Sequence, residues 1–271
     1  MNIRDLYDEN GYYIFKKVLK LDQINKVMNA INFVIDQQLS YTQLNKKGKI
    51  NKNLSVFKKL KILFDSDINR YLKVVKSFQN LSEIYEIFFS SEIKKVLDDL
   101  KITKSSIPTG PVFHLMSRAL RIPNGYFGVP AHQDYPSMCG SLDAPILWIP
   151  LVDIDKKLYP LDLIPKSNKK GLSKGIIGNN CYEIDKNEYS DDDFVSIEVQ
   201  KQDIIIMSPF TIHRSNTDGK LNDVRFACSI RFDNLEESTF IERAYPSAYK
   251  RVIDRNLFEN DKLDSLIHKN F

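Results

Sequence analysis

From residue 203 to residue 232 the chain reads DIIIMSPFTIHRSNTDGKLNDVRFACSIRF. Ile204-Ile205-Ile206-Met207 is an unbroken apolar run of strand length, as in a strand buried on both faces. Ser208-Pro209 interrupts it, and Thr211 to Asn216 forms a second short run that carries His213. Asp218-Gly219 is a tight-turn pair, and its position predicts a hairpin into the strand Arg225 to Phe232. That strand alternates: Phe226, Cys228, Ile230 and Phe232 share one face, and Arg225, Ala227, Ser229 and Arg231 share the other. Short strands so closely spaced, with turn residues between them, point to a sandwich or barrel.

Upstream the same texture continues back to Pro108. Strands are predicted at Val112 to Ile122, Val129 to Tyr135, Ile146 to Val152, Leu161 to Ile164 and Val195 to Val199. Before that the period is helical. From Asp22, read as an N-cap, apolar residues recur at Ile24, Val27, Met28, Ile31, Val34 and Ile35. Further helices are expected at Ile68 to Phe78, Leu81 to Phe89 and Glu92 to Leu100, with Ser40 to Ser55 a polar loop. The expected architecture is α+β: a jelly-roll core with an N-terminal helical layer. It forms one domain over 1–271, with the helical layer at about 1–107, the core at about 108–235 and a tail at 236–271.

Composition narrows the class. The 271 residues are 42% hydrophobic and 27% charged, enough for one sizeable core. The N-terminus lacks the pattern of a secretory signal, and no apolar run approaches the ~20 residues a membrane span needs. Cys139, Cys181 and Cys228 are odd in number and lack metal-type spacing, which suits a reducing cytoplasm. The net charge of +4 is spread along the chain, with no basic stripe interleaved with aromatics. The expected partner is therefore a small-molecule substrate, with neither nucleic acid nor membrane, and no oligomeric state is implied.

Chemistry concentrates around two of the four histidines. His132-Gln133-Asp134 is an H-x-D triplet, and an extended segment would send both side chains to one face. With His213 these residues complete the two-His-one-carboxylate set that holds iron in non-haem Fe(II) oxygenases. The triplet alone is weak, and a histidine ending an apolar run is as readily a core residue. The strand that follows adds weight. In a hairpin turning at Asp218-Gly219, Arg225 would lie beside His213, where a buried guanidinium suits a carboxylate-bearing cosubstrate such as 2-oxoglutarate. Arg231, roughly 20 Å further along the same face, could not serve that same carboxylate.

Five blocks in order resemble the phytanoyl-CoA dioxygenase family over most of the chain. They are the opening Tyr7 to Phe15; His132-Gln133-Asp134-Tyr135; Trp148-Ile149-Pro150-Leu151; Pro160 to Gly171; and His213-Arg214-Ser215-Asn216 leading to Arg225. The resemblance implies a double-stranded β-helix using Fe(II), 2-oxoglutarate and O₂. By position, His132, Asp134 and His213 would bind metal, Ser215 and Trp148 would help hold the cosubstrate, and Arg225 would pair with its distal carboxylate. Lys166 and Asn168 stand where the family usually has Gly and His. Asp134 is present where halogenating relatives have a small residue, which favours hydroxylation over halogenation.

Other residues carry plainer readings as well. Trp148 suits core packing as much as cosubstrate contact. His114, Arg118 and Arg121 precede the H-x-D and could meet an anionic part of the substrate, or serve surface and structural roles. Cys139 reads as packing, His268 as solvated and Asp203 as a turn residue. The functional expectation is a 2-oxoglutarate-dependent hydroxylase of a small metabolite or biosynthetic intermediate. The alternatives are a binding module or pseudoenzyme on the same barrel, or a cupin-type metal enzyme with no need of Arg225.

Overall fold

The computed structural model describes residues 2–42, 54–123, 127–178 and 181–250. The chain opens with α1 (Ile3–Asn10), held by a capping box in which Asn2 and Asp5 exchange hydrogen bonds. Gly11 ends it at φ 79°, in left-handed backbone; a Cβ there would lie 2.6 Å from both Asn168 Oδ1 and Thr211 Oγ1. The next strand, β1 (Tyr12–Phe15), pairs antiparallel with a strand almost two hundred residues later in the chain. Neither α1 nor β1 has a long enough periodic pattern to be read from sequence.

The helical layer follows: α2 (Leu21–Tyr41), α3 (Val56–Ser66), α4 (Ile68–Ser77), α5 (Ser82–Phe88) and α6 (Ser91–Asp99). Helix α2 buries Ile24, Val27, Ile31, Ile35 and Leu39 along one stripe, each contributing about 1.5–3 kcal/mol. Its N-cap is Lys20; Asp22 sits in the first turn and pairs with Lys26 instead. The predicted Ser40–Ser55 loop is shorter at both ends than expected. Helix α2 runs through Tyr41, Ser55 caps α3, and 43–53 lie outside the described residues. Lysines interrupt the apolar period of α3; one of them, Lys59, is buried and satisfied by Asp36 at 2.8 Å and Asn32 at 3.0 Å.

The strands in order are β2 (Ser105–Ser106), β3 (Val112–Met116), then after a short helix α7 (Tyr135–Met138), β4 (Ile146–Pro150), β5 (Leu161–Leu163), β6 (Gly175–Ile177) and β7 (Tyr182–Ile184). They continue with β8 (Val195–Ile197), β9 (Ile204–Met207), β10 (His213–Ser215), β11 (Arg225–Arg231) and β12 (Asp233–Asn234), before α8 (Ser238–Glu242). One sheet runs β1-β9-β4-β11-β3 and faces a smaller sheet β10-β5-β8, the two layers of a jelly roll. Alternation decides which layer each side chain enters. Ile204, Ile206, Leu147, Ile149, Phe226, Cys228 and Ile230 pack on the helices, while Ile205, Met207, Ile146, Trp148 and Ala227 face the smaller sheet.

Three further expectations, all in the strand region, need correction. There is no strand over Val129 to Tyr135: His132 makes only isolated bridges, to His213 and Glu183, and Asp134 has helical dihedrals (φ −77°, ψ −26°). Pro136 in the first turn of α7 favours that helical start, so the chain bends where a strand was predicted. Asp218-Gly219 does not close a hairpin. Strand β10 pairs with β5 and β11 with β3 and β4, so the connection crosses from one sheet to the other. The predicted Val112–Ile122 strand ends at Met116, and Arg118–Leu120 turn as a short 3₁₀ segment.

Candidate active site

His132 and His213 are brought together by the backbone. Each donates its N–H to the other's carbonyl at 3.0 Å, the closed pair of an antiparallel bridge, and their ring centroids lie 4.1 Å apart. Asp134 arrives by the turn into α7, anchored where Tyr135 N–H donates to Pro209 O at 3.0 Å. Gln133, between the two, is fully buried and acts as a bracket. Its amide donates to Phe210 O at 2.6 Å and Gly171 O at 2.9 Å, and its oxygen accepts from Ser173 N–H at 3.0 Å.

The three side chains present ligand atoms within 4.8 Å of one another, the one such cluster of His, Cys, Asp and Glu among the described residues. Both imidazoles are oriented from behind. His132 Nδ1 meets Pro130 O at 2.8 Å and His213 Nδ1 meets Thr211 O at 2.9 Å, so the Nδ1–H tautomer leaves each Nε2 lone pair free. Burial, helped by His213, lowers the His132 pKa to about 3, so the ring is a neutral donor. Burial would raise the Asp134 carboxyl, but Arg231 and the two histidines together hold it below the usual range. Its Oδ2 is buried with no hydrogen-bond partner among the described residues and lies 3.8 Å from His213 Nε2. Two imidazole Nε2 atoms, each backed by a carbonyl, and one orphaned carboxylate oxygen fit a divalent metal of the Fe(II) type.

The triad lines a cavity of about 440 Å³ between the two sheets. Arg225 is 2% exposed and also lines it; its Nη1 donates to Tyr159 O at 2.6 Å and its guanidinium lies 5.5 Å from the Trp148 ring centroid. Trp148 packs in the inner core and also walls the cavity. Ser215 reaches the cavity from β10. His114 lines it too, with Nε2 2.9 Å from Ser229 Oγ; burial first, then Arg225 and Arg231, lower its pKa to about 3. Arg121 does not join them. It is exposed and lies 5.5 Å from the Phe127 ring, outside the cavity walls, and Arg118 is half-exposed beside Asp218. Asp134 is the one carboxylate among the described lining residues, against Arg214, Arg225 and Arg231, so the cavity suits an anionic guest.

Two contributors escape the sequence. Arg231 reaches back to donate to Asp134 Oδ1 at 3.0 Å; alternation put it on the correct face but could not name its partner. Tyr249 lines the cavity from the segment after α8, docked where Ala248 N–H donates to Met138 O at 3.0 Å, and no local pattern signals that return. Cys139 caps α7 in left-handed backbone, and Asp203 is a buried acceptor for Lys17 and Gln200 N–H groups. His268 lies outside the described residues. All three cysteines are free, and no described helix is long and apolar enough to cross a membrane.

With this geometry in place, a sequence profile of the phytanoyl-CoA dioxygenase family matches residues 7–218. The chain belongs to the phytanoyl-CoA dioxygenase family. The match takes in all three triad residues and ends before Arg225 and Arg231. No curated protein matches by sequence search. Among solved structures, the epimerase SnoN, in complex with Fe3+, alpha ketoglutarate and nogalamycin RO, is similar with a TM-score of 0.57 and 12% identity, over 86% of this chain and 82% of that one. The non-heme monooxygenase ThoJ gives 0.58 and 13%, over 86% and 77%. The carbocyclase SnoK from nogalamycin biosynthesis gives 0.54 and 14%, over 92% of both chains. At such identities the likeness is one of fold, the double-stranded β-helix. Lys166, the position at which the resemblance implies Gly, adopts left-handed backbone at φ 64°.

Proposed function

We propose that this member of the phytanoyl-CoA dioxygenase family is an Fe(II)- and 2-oxoglutarate-dependent oxygenase that hydroxylates a small metabolite or biosynthetic intermediate. The observation that carries the reading is the meeting of His132, Asp134, His213 and Arg225 in one cavity. A volume of about 440 Å³ that must also admit 2-oxoglutarate favours a small substrate over a long one. The single domain spans the whole chain in this reading, and three free cysteines suit a cytoplasmic setting.

Iron and 2-oxoglutarate would supply the oxidising chemistry, one O₂ being consumed with release of succinate and CO₂ as one oxygen atom enters the substrate. The residues bind and orient. His132 Nε2, His213 Nε2 and Asp134 hold the metal, and their carbonyl and arginine partners fix the aim of each donor. Arg225, backed by Tyr159 O, holds the distal carboxylate by a charge-assisted bond, with Trp148 and Ser215 forming the adjacent walls. Asp134 would supply a carboxylate to the metal where halogenating relatives would leave room for a halide, so an oxygenated and not a chlorinated product is expected.

The reading is tested with purified protein, Fe(II), ascorbate and 2-oxoglutarate. One Fe(II) per chain is expected, with succinate release stimulated by the correct member of a metabolite panel. His132→Ala and His213→Ala should each abolish metal binding; undiminished affinity in either variant removes that residue from the site. A chlorinated product in high chloride would overturn the assignment of Asp134. Stoichiometric metal binding with no succinate formed across the panel would favour the pseudoenzyme alternative.

A further inference from the structure

Arg231 ends the same strand face that carries Arg225, yet it meets the cavity at a different place. Its side chain is 12% exposed, and its Nη2 donates to Asp134 Oδ1 at 3.0 Å. The two oxygens of that carboxylate are therefore unequal. Oδ1 is held by the guanidinium, whereas Oδ2 is buried without a hydrogen-bond partner among the described residues and turned toward His213 Nε2, 3.8 Å away. The arginine is in turn steadied by a long contact from Nη1 to Ser229 Oγ at 3.4 Å, and Ser229 Oγ lies 2.9 Å from His114 Nε2. A His114–Ser229–Arg231–Asp134 chain thus runs from β3 through β11 to the metal-side carboxylate.

Carboxylates bind metals through one oxygen or both, and a free one beside a divalent ion can take either mode. Two-oxygen binding would use a coordination position that a chelating cosubstrate and dioxygen require. We propose that Arg231 is a positioning residue: by engaging Oδ1 of Asp134 it leaves Oδ2 alone to ligate, so the carboxylate occupies a single position and the neighbouring one stays open. This rests on the metal and cosubstrate reading above. It assigns to Arg231 a role distinct from that of Arg225, which meets the far end of the cosubstrate and not the metal.

The test compares wild type with Arg231→Gln and Arg231→Lys, anaerobically. Arg231→Gln should still bind one Fe(II) per chain but weaken the Fe(II)–2-oxoglutarate chelate, read from its absorption band, by about tenfold or more. The 2-oxo acid without a distal carboxylate, 2-oxobutanoate, should weaken in the same proportion, because the defect lies at the metal. Arg231→Lys keeps a cationic donor to Oδ1 and should stay within about threefold of wild type. In wild type, the infrared carboxylate stretches that change on metal loading should show the wide splitting of one-oxygen binding, and in Arg231→Gln the narrow splitting of two-oxygen binding. A wild-type chelate band and wild-type oxo-acid affinities in Arg231→Gln would overturn the proposal, as would loss of Fe(II) binding itself in that variant. Should Arg231→Gln not fold, the wild-type infrared spectrum decides, since a narrow splitting there refutes it. Failure of the wild type to bind Fe(II) and 2-oxoglutarate would remove the functional reading, and this inference with it; binding in wild type unaffected by Arg231 removes only the inference.

Discussion

Arg225 and Arg231 lie on one face of β11 and in one cavity, but their partners separate them: Tyr159 O and the Trp148 ring for the first, Asp134 for the second. The separation can be measured with two oxo acids. Losing one partner of a buried charged pair costs about 3–5 kcal/mol, roughly a hundredfold or more in affinity. Arg225→Gln should therefore abolish the preference for 2-oxoglutarate over 2-oxobutanoate while leaving Fe(II) affinity near normal. If Arg225→Gln keeps that preference, the distal carboxylate binds elsewhere. Gln133 supports a second residue-level prediction. It is buried and makes three backbone hydrogen bonds, so Gln133→Ala leaves two carbonyls and an N–H without their partner. A loss of about 1–3 kcal/mol per unsatisfied group is expected in urea unfolding, with weaker metal binding because His132 and Asp134 flank the freed segment.

At the scale of elements, the crossing between β10 and β11 holds Arg225 in an indirect way. Gly219 packs against the ring of Tyr159, where an added Cβ would come within 2.3 Å of ring carbons. Tyr159 is fully buried; its hydroxyl bridges Arg118 N–H at 2.9 Å and Lys220 O at 2.7 Å, and its carbonyl accepts from Arg225. The Gly219 backbone is not left-handed, so an alanine there is objectionable only for its contact with that ring. Gly219→Ala should displace Tyr159, cost about 1–3 kcal/mol through overpacking, and weaken 2-oxoglutarate with little change in Fe(II) affinity. Equal weakening of metal and cosubstrate would show that the crossing supports the triad as well.

Across the whole molecule, the site stores a dependence on pH. His132 is buried and His114 partly buried, and both are held at about 3, against about 6.5 when exposed in the unfolded chain. A depressed histidine leaves the unfolded state binding more protons between those values, so stability is complete above about pH 6.5 and falls as pH drops toward the folded values. The Asp134 carboxyl is also depressed, and its contribution is lost only below the ordinary aspartate range, near 3.8. Between pH 6 and 4.5 the two histidines should thus govern, with a slope of up to about 2.7 kcal/mol per pH unit for the metal-free protein. Urea midpoints of the metal-free protein should be flat from pH 8 to 7 and fall from pH 6 to 5, with His114→Asn removing part of the slope. A flat profile down to pH 5 would show that these rings protonate freely in the folded state.

The alternation of Arg225 to Phe232, the apolar run ending at Met207 and the residue types at 132, 134 and 213 were legible in the sequence. Periodicity and side-chain chemistry are local properties, and they suffice to say which face is apolar and which residues can ligate. Membership of the facing sheets was not legible, because a strand's pattern states its face but not its neighbour. Asp218-Gly219 has the chemistry of a hairpin turn, yet the pairing of β10 with β5 and of β11 with β4 sends the chain across the sandwich. The same holds at the triad. The sequence supplied the ligands; only the reciprocal bridge between His132 and His213, the bend that makes Asp134 helical, and the reach of Arg231 decided their geometry. Those contacts join residues far apart in the chain, and they exist only once packing against the helical layer and between the sheets has fixed where each strand lies.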